Sequence, residues 1–127
     1  MKLLLDTNRL SDALAENAEV VDVLETAEAI HVPAIALGEI RAGFLAGSRP
    51  AKNETRLQWF LSQDGVLVAS VDGPVTHRYA SIYAALRKRG TPIPTNDLWI
   101  AAIAIELGLV VYTRDRHFES VPGLASM

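Results

Sequence analysis

A parallel α/β sandwich is the fold that this sequence predicts: three layers, with a short, mainly parallel sheet between helices. Three observations predict it. Four short apolar runs read as strands, each bounded by polar, Gly or Pro residues. The runs are continuous rather than alternating, as in strands covered on both faces. Helical patterns separate them, and strands that alternate with helices favour a parallel sheet.

In chain order, the first strand is expected over residues 2–6, "KLLLD". A helix over 17–27 sets Val20, Val21, Leu24 and Ala27 on one side. Strand 30–32 leads into helix 33–45, which carries Ile35, Leu37, Ile40 and Phe44. "AGSRPAKN", 46–53, is a turn followed by a helix start, and helix 51–61 carries Leu57, Phe60 and Leu61. After strand 66–68, helix 75–89 aligns Tyr79, Ile82, Tyr83 and Leu86. The loop "RGTPIPTND", 89–97, precedes helix 96–107 with Trp99, Ile100, Ile103 and Leu107, which Gly108 is suited to end. Strand 109–112 follows. No repeat, low-complexity tract or linker interrupts the pattern, so residues 1–127 are expected to form one domain of ordinary size.

Composition narrows the function classes. Half of the residues are apolar, enough for an ordered core without staples. The absence of cysteine excludes disulfides and thiolate metal sites, and fits a cytoplasmic setting. The N-terminal apolar run is three leucines long, whereas a signal peptide needs about 7–15 apolar residues. The longest apolar stretch, 98–105, falls short of the ~20 residues that cross a bilayer, so no membrane association is expected. The net charge of −3 advertises no global attraction to nucleic acid. The charge is uneven, however: residues 1–30 hold seven acids and two bases, while residues 41–89 hold eight bases and three acids. The latter can form a basic face or simply solvated helix surfaces.

In open parallel sheets, ligands bind outside the carboxyl ends of the strands. Those ends carry acids. Asp6 ends the first strand, Asp115 follows the last in "VVYTRDRHF", Asp97 starts the apolar helix "NDLWIAAIAIELG", and Glu39 lies in "PAIALGEIRAGF". Each has a plainer reading. Asp6 can cap a helix starting near Asn8. Asp97 can answer a helix dipole. Asp115 can be a turn residue, and Glu39 a solvent-facing helix residue, although Ile35 and Gly43 four residues to either side give it no polar face. The joint pattern favours chemistry. Four carboxylates in one cleft repel one another unless a cation joins them. Without cysteine, such a set suits a hard ion, Mg²⁺ or Mn²⁺. Zinc is disfavoured, because His31, His77 and His117 lack metal-ligand spacing. His117, the histidine nearest an acid, reads as structural or substrate-facing rather than as a ligand.

"LLLDTNRL", Glu39 in "ALGEIRAG" and the long block "NDLWIAAIAIELGLVVYTRDRHF" together resemble the PIN-domain family, and within it the VapC toxins of bacterial toxin–antitoxin pairs. The resemblance covers nearly the whole chain in motif order, spacing and length. "DTN" alone is weak, and the C-terminal block is the specific part. The resemblance implies a PIN-like fold and a metal-dependent ribonuclease using one or two Mg²⁺ or Mn²⁺ ions. Its acidic quartet maps onto Asp6, Glu39, Asp97 and Asp115. Asp6 and Asp97 are then the core direct metal ligands, Asp115 completes the site, and Glu39 either binds through water or positions the nucleophile. Asn8 or Thr7 and Thr113 match its supporting polar residues. Arg9 departs from the aliphatic residue common at its position and adds a cation beside the cleft. Arg114 and Arg116 are expected to touch RNA phosphates, with Arg9, Arg41 and Lys52 as weaker contributors.

The same resemblance implies a homodimer, inhibition by a cognate VapB-like antitoxin whose arm lies near the acids, and contact with DNA only through that antitoxin. Helices 34–61 are the expected groove wall, and Trp59, Phe60, Ile82 and Tyr83 are candidates for a partner-facing surface. Three other readings remain. A haloacid-dehalogenase-type phosphatase also ends its first strand in Asp, but it needs a second Asp where Asn8 stands, and its downstream lysine is missing. A receiver domain needs an acceptor Asp after its third strand, near residues 50–60. A non-catalytic binding module on the PIN fold would not need all four acids.

Overall fold

The apolar runs become the middle layer. In the computed structural model, which describes residues 1–127, one sheet contains β1 (Lys2–Leu5), β2 (Ala29–Pro33), β3 (Val66–Ala69) and β4 (Val110–Tyr112). All pairs are parallel, in the order β3-β2-β1-β4. The helices are α1 (Thr7–Leu14), α2 (Ala18–Thr26), α3 (Ala34–Ala46), α4 (Pro50–Leu61), α5 (Gly73–Arg89) and α6 (Thr95–Leu107), followed by a 3₁₀ turn, Arg116–Ser120.

Successive strand residues point to opposite faces, so the leucines of β1 serve two cores. Leu3 and Leu5 pack with Leu10, Val20, Leu37, Ile40 and Leu57 beneath α1–α4. Leu4 packs with Ile82, Leu86, Ile100 and Ile103 beneath α5 and α6. Fully burying each such side chain contributes about 1.5–3 kcal/mol. Helix α6 is buried almost all round, at Leu98 and at every residue from Ile100 to Ala104, which accounts for its unbroken apolar sequence. Gly90 and Gly108 end α5 and α6 with φ of 72° and 67°, a backbone region costly for any side chain.

Two features differ from the sequence expectation. Residues 7–14 form a helix of their own directly after β1, a stretch too short and polar to stand out by periodicity. The third strand is not covered on both faces: Leu67 and Val68 are about half exposed, at 53% and 50%. β3 is an edge strand with an open flank. The other edge is closed by the C-terminal tail, where Val111 N–H donates to Ala125 O and Met127 N–H to Val111 O, each at 2.9 Å.

The connectivity selects the site. From β1 the chain moves outward through β2 and β3, then returns to place β4 on the opposite side of β1. The strand order therefore reverses between β1 and β4. A crevice opens beyond the carboxyl ends of these two strands.

Candidate active site

Asp6 follows β1 directly and sits at that reversal. Its N–H continues the ladder to Tyr112 O at 3.0 Å, and the residue is 5% exposed. A carboxylate this buried requires donors. Oδ1 accepts the Thr7 N–H at 2.8 Å, while Oδ2 accepts the Thr113 hydroxyl at 2.7 Å and the Asn8 side-chain amide at 3.2 Å. Asp6 is also the N-cap of α1, in extended conformation. Its capping role and its position in the cleft therefore coexist.

Thr113 joins the ends of β1 and β4. Its hydroxyl donates to Asp6 and accepts the Asp115 N–H at 2.8 Å. Asn8 Oδ1 accepts the Arg114 N–H at 3.2 Å, which ties the loop after β4 to α1. Thr7 reaches the other way, donating its hydroxyl to Glu39 Oε1 at 2.8 Å. Glu39 is exposed, on the face of α3 toward the cleft rim. Asp97 occupies the first turn of α6, where the helix dipole favours an anion. Asp115 caps the 3₁₀ turn by accepting the His117 N–H at 2.9 Å.

The four acids share one field. Burial pushes the Asp6 carboxyl above the usual carboxylate range, and the charges of Glu39 and Asp115 add to the effect. Hydrogen bonds from Thr113 and Thr7 oppose it. Asp97 is raised by burial and by the charges of Asp6 and Asp115, against a lowering bond from His117. Burial is the main cause for both, and the carboxylate charges that add to it leave the site short of positive charge.

Sequence reasoning set His117 aside as a ligand. Its Nδ1 lies 3.1 Å from Asp97 Oδ2 and 3.0 Å from Asp115 Oδ1. Hydrogen bonding to Asp97 and the charges of both acids raise its pKa. Asp97, Asp115 and His117 each offer a ligand atom within 4.8 Å of the others. The only sequence signal was proximity, and a 3₁₀ turn was needed to fold the ring back over Asp115. Asp12 was missed altogether. It is the sixth residue of α1 and pairs with Arg9 at 3.4 Å and Arg114 at 3.3 Å.

The cations divide into two groups. Arg9 does not stand free beside the cleft: its guanidinium lies 4.5 Å over the Tyr112 ring and pairs with Asp12, and its Nε is buried without a partner. Arg41 is held by Glu54 through two bonds of 3.0 and 3.1 Å. Arg114 and Arg116 project at the cleft edge with side chains 57% and 87% exposed. Lys52 is exposed on α4. Of the expected partner-facing residues, Trp59 and Tyr83 are exposed, Phe60 is half-buried, and Ile82 belongs to the core.

The donor set fits a divalent cation. Carboxylate oxygens dominate it, and a positive ion would relieve the repulsion that adds to burial in raising Asp6 and Asp97. Asp6 Oδ2 already accepts two hydrogen bonds, but Oδ1 accepts one and keeps a lone pair.

This is the architecture of one family. The family profile described as PIN domain matches residues 3–124, and the chain belongs to the PIN-domain family. Within it, the chain is similar to VapC ribonucleases. It is 30% identical to the tRNA(fMet)-specific endonuclease VapC of Salmonella typhimurium, over 98% of this chain and 95% of that protein. It is 31% identical to Ribonuclease VapC4 of Mycobacterium tuberculosis, over 72% of this chain and 70% of that one. Among solved structures, VapBC2 from Rickettsia felis bound to a promoter DNA fragment superposes with a TM-score of 0.89 at 25% identity, covering 100% of this chain and 98% of the other.

Proposed function

We propose that this protein is a divalent-metal-dependent ribonuclease and the toxin of a toxin–antitoxin pair. The observation that supports the proposal most is the set of acids about the β1/β4 reversal: Asp6 feels the charges of Glu39 and Asp115, and Asp97 those of Asp6 and Asp115. In this reading Asp97 and Asp115 would hold the ion, Mg²⁺ or Mn²⁺, with Asp6 as a further ligand. When bound, such an ion supplies a lowered pKa for water and neutralises charge developing on the phosphate. Glu39, steered by Thr7, orients the attacking water and takes up its proton. Thr113 and Asn8 hold the Asp6 carboxylate in one orientation, so that no reorganisation is needed during reaction. Arg114 and Arg116 receive the phosphates of the RNA strand.

Asp6→Asn tests the assignment. It keeps the shape and one acceptor oxygen while removing the charge and the second acceptor, and should abolish RNA cleavage in a variant whose thermal unfolding shows that it still folds. Undiminished cleavage by the purified, folded variant would sink it.

VapBC is a family of toxin–antitoxin systems, and the Rickettsia felis and Salmonella typhimurium VapBC structures hold DNA, so we extend the proposal to an antitoxin for this chain, with DNA reached only through it. The groove wall proposed for its arm is the side of α3 and α4 that faces α1, where hollows are lined by Leu14, Ile40, Phe44, Arg56, Trp59 and Phe60. Those hollows lie on the helices that carry Thr7 and Glu39. A homodimer belongs to the same reading. Light scattering behind a sizing column should report twice the 13.8 kDa chain mass at micromolar concentration, and a stable monomer would contradict it.

A further inference from the structure

We propose that His117 is itself a metal ligand, its Nδ1 completing a face with Asp97 and Asp115 and giving the site a preference for Mn²⁺ over Mg²⁺. The inference rests on the metal-nuclease reading and adds a nitrogen donor to an otherwise all-oxygen set. Its first support is distance. An octahedral ion with ligands at about 2.1 Å separates adjacent ligand atoms by about 3.0 Å. A tetrahedral ion of the same bond length separates them by about 3.4 Å. Nδ1 lies 3.1 Å from Asp97 Oδ2 and 3.0 Å from Asp115 Oδ1, so both edges match the octahedron.

The second support is the bonding capacity of the ring. One Nδ1 carries at most one proton, which points in one direction. Two carboxylate oxygens approach that nitrogen, so a single N–H serves one acid well and leaves the other poorly served. A cation among the three atoms takes the nitrogen lone pair and both oxygens at once, with the proton moved to Nε2 on the half-exposed side of the ring.

The third support is anchorage. His117 precedes Phe118, which is fully buried in the α5/α6 core, and its own N–H is fixed to Asp115. The backbone therefore holds the ring over the acids. The neighbouring cations do not compete for this place, since Arg114 pairs with Asp12 and Arg116 with Glu119. Imidazole is a softer ligand than carboxylate, tolerated by Mn²⁺ and later transition ions and little used by Mg²⁺, hence the predicted selectivity.

The test is Mn²⁺ and Mg²⁺ titration by calorimetry, with pulsed electron paramagnetic resonance of the Mn²⁺-loaded protein, on the wild type, His117→Ala, His117→Gln and Asp97→Asn. We expect a ¹⁴N coupling to Mn²⁺ in the wild type that both His117 variants lose. Their Mn²⁺ affinity should fall about tenfold or more while Mg²⁺ affinity changes less. Mn²⁺ binding that Asp97→Asn abolishes but both His117 variants retain, without ¹⁴N coupling, would overturn the ligand role and leave the metal-nuclease reading standing. A wild type that binds neither ion would overturn both. Thermal unfolding of the half-exposed His117 variants checks that they fold.

Discussion

Asp6 illustrates how one residue meets several constraints together. Its carboxylate caps α1, bonds across to β4 and leaves one lone pair free. The neighbouring Arg9 has a different outcome. Stacked on Tyr112 and paired with Asp12, it is committed to packing. We therefore expect Arg9→Leu to leave RNA affinity and its salt dependence unchanged. Arg114→Ala or Arg116→Ala should weaken binding across sequences and reduce the salt slope by about one each. Filter binding over a range of salt concentrations decides between them. A loss with Arg9→Leu matching that of Arg116→Ala would return Arg9 to the RNA surface.

At the scale of elements, the 3₁₀ turn Arg116–Ser120 matters most. It carries His117 and is capped by Asp115, and Phe118 anchors it as the largest fully buried side chain. Truncation of a buried Phe costs about 3–5 kcal/mol. Phe118→Ala should lower unfolding stability in urea by that amount and loosen the Asp115–His117 geometry, so metal affinity should fall with it. An unchanged denaturation midpoint would show that the turn is not held by this anchor. Helix α6 complements it from the other side, with Asp97 in its first turn and an apolar body locked between α5 and the sheet.

For the whole molecule, the acid cluster makes stability depend on pH and metal together. Asp6 and Asp97 have folded pKa values above their unfolded ones, so the folded state binds protons more tightly. Their contribution is most favourable below the unfolded carboxylate pKa and is lost as pH rises through the folded value. His117, also raised, follows the same sign: its contribution is complete below the unfolded imidazole pKa and is lost above the folded one. In the metal-free protein these three groups therefore favour acid pH, against Glu28, Glu54 and His31, whose lowered values act in the opposite sense, and a divalent ion should offset what the acid cluster loses at neutral pH. Melting temperatures with EDTA and with Mn²⁺ should nearly coincide at about pH 3, below the ordinary carboxylate range, and diverge by about pH 7.5. Curves that coincide at both pH values would remove the cation from the site. The open β3 flank and Trp59, 65% exposed, are further whole-molecule features, and solution mass measurement bears on what covers them.

Much of this was legible in the sequence, and the rest was not for definite reasons. All four strands and the five longer helices follow from apolar runs, periodicity and glycine stops, because those signals are local. The four acids stand out because each interrupts or ends an apolar segment. Helix α1 is short and mostly polar and depends on its Asp6 cap, so no periodic signal marks it. What the sequence by itself determined was the alternation of strand and helix, the class of fold and the family. Only the tertiary structure decided which side chains meet. The strand reversal beside β1 brings Thr113 onto Asp6, the 3₁₀ turn lays His117 between Asp97 and Asp115, and Tyr112 receives the Arg9 guanidinium over its ring. Thr113–Asp6, His117–Asp97 and Arg9–Tyr112 join residues from different elements, far apart in sequence, and only the packed sheet and helices bring them together.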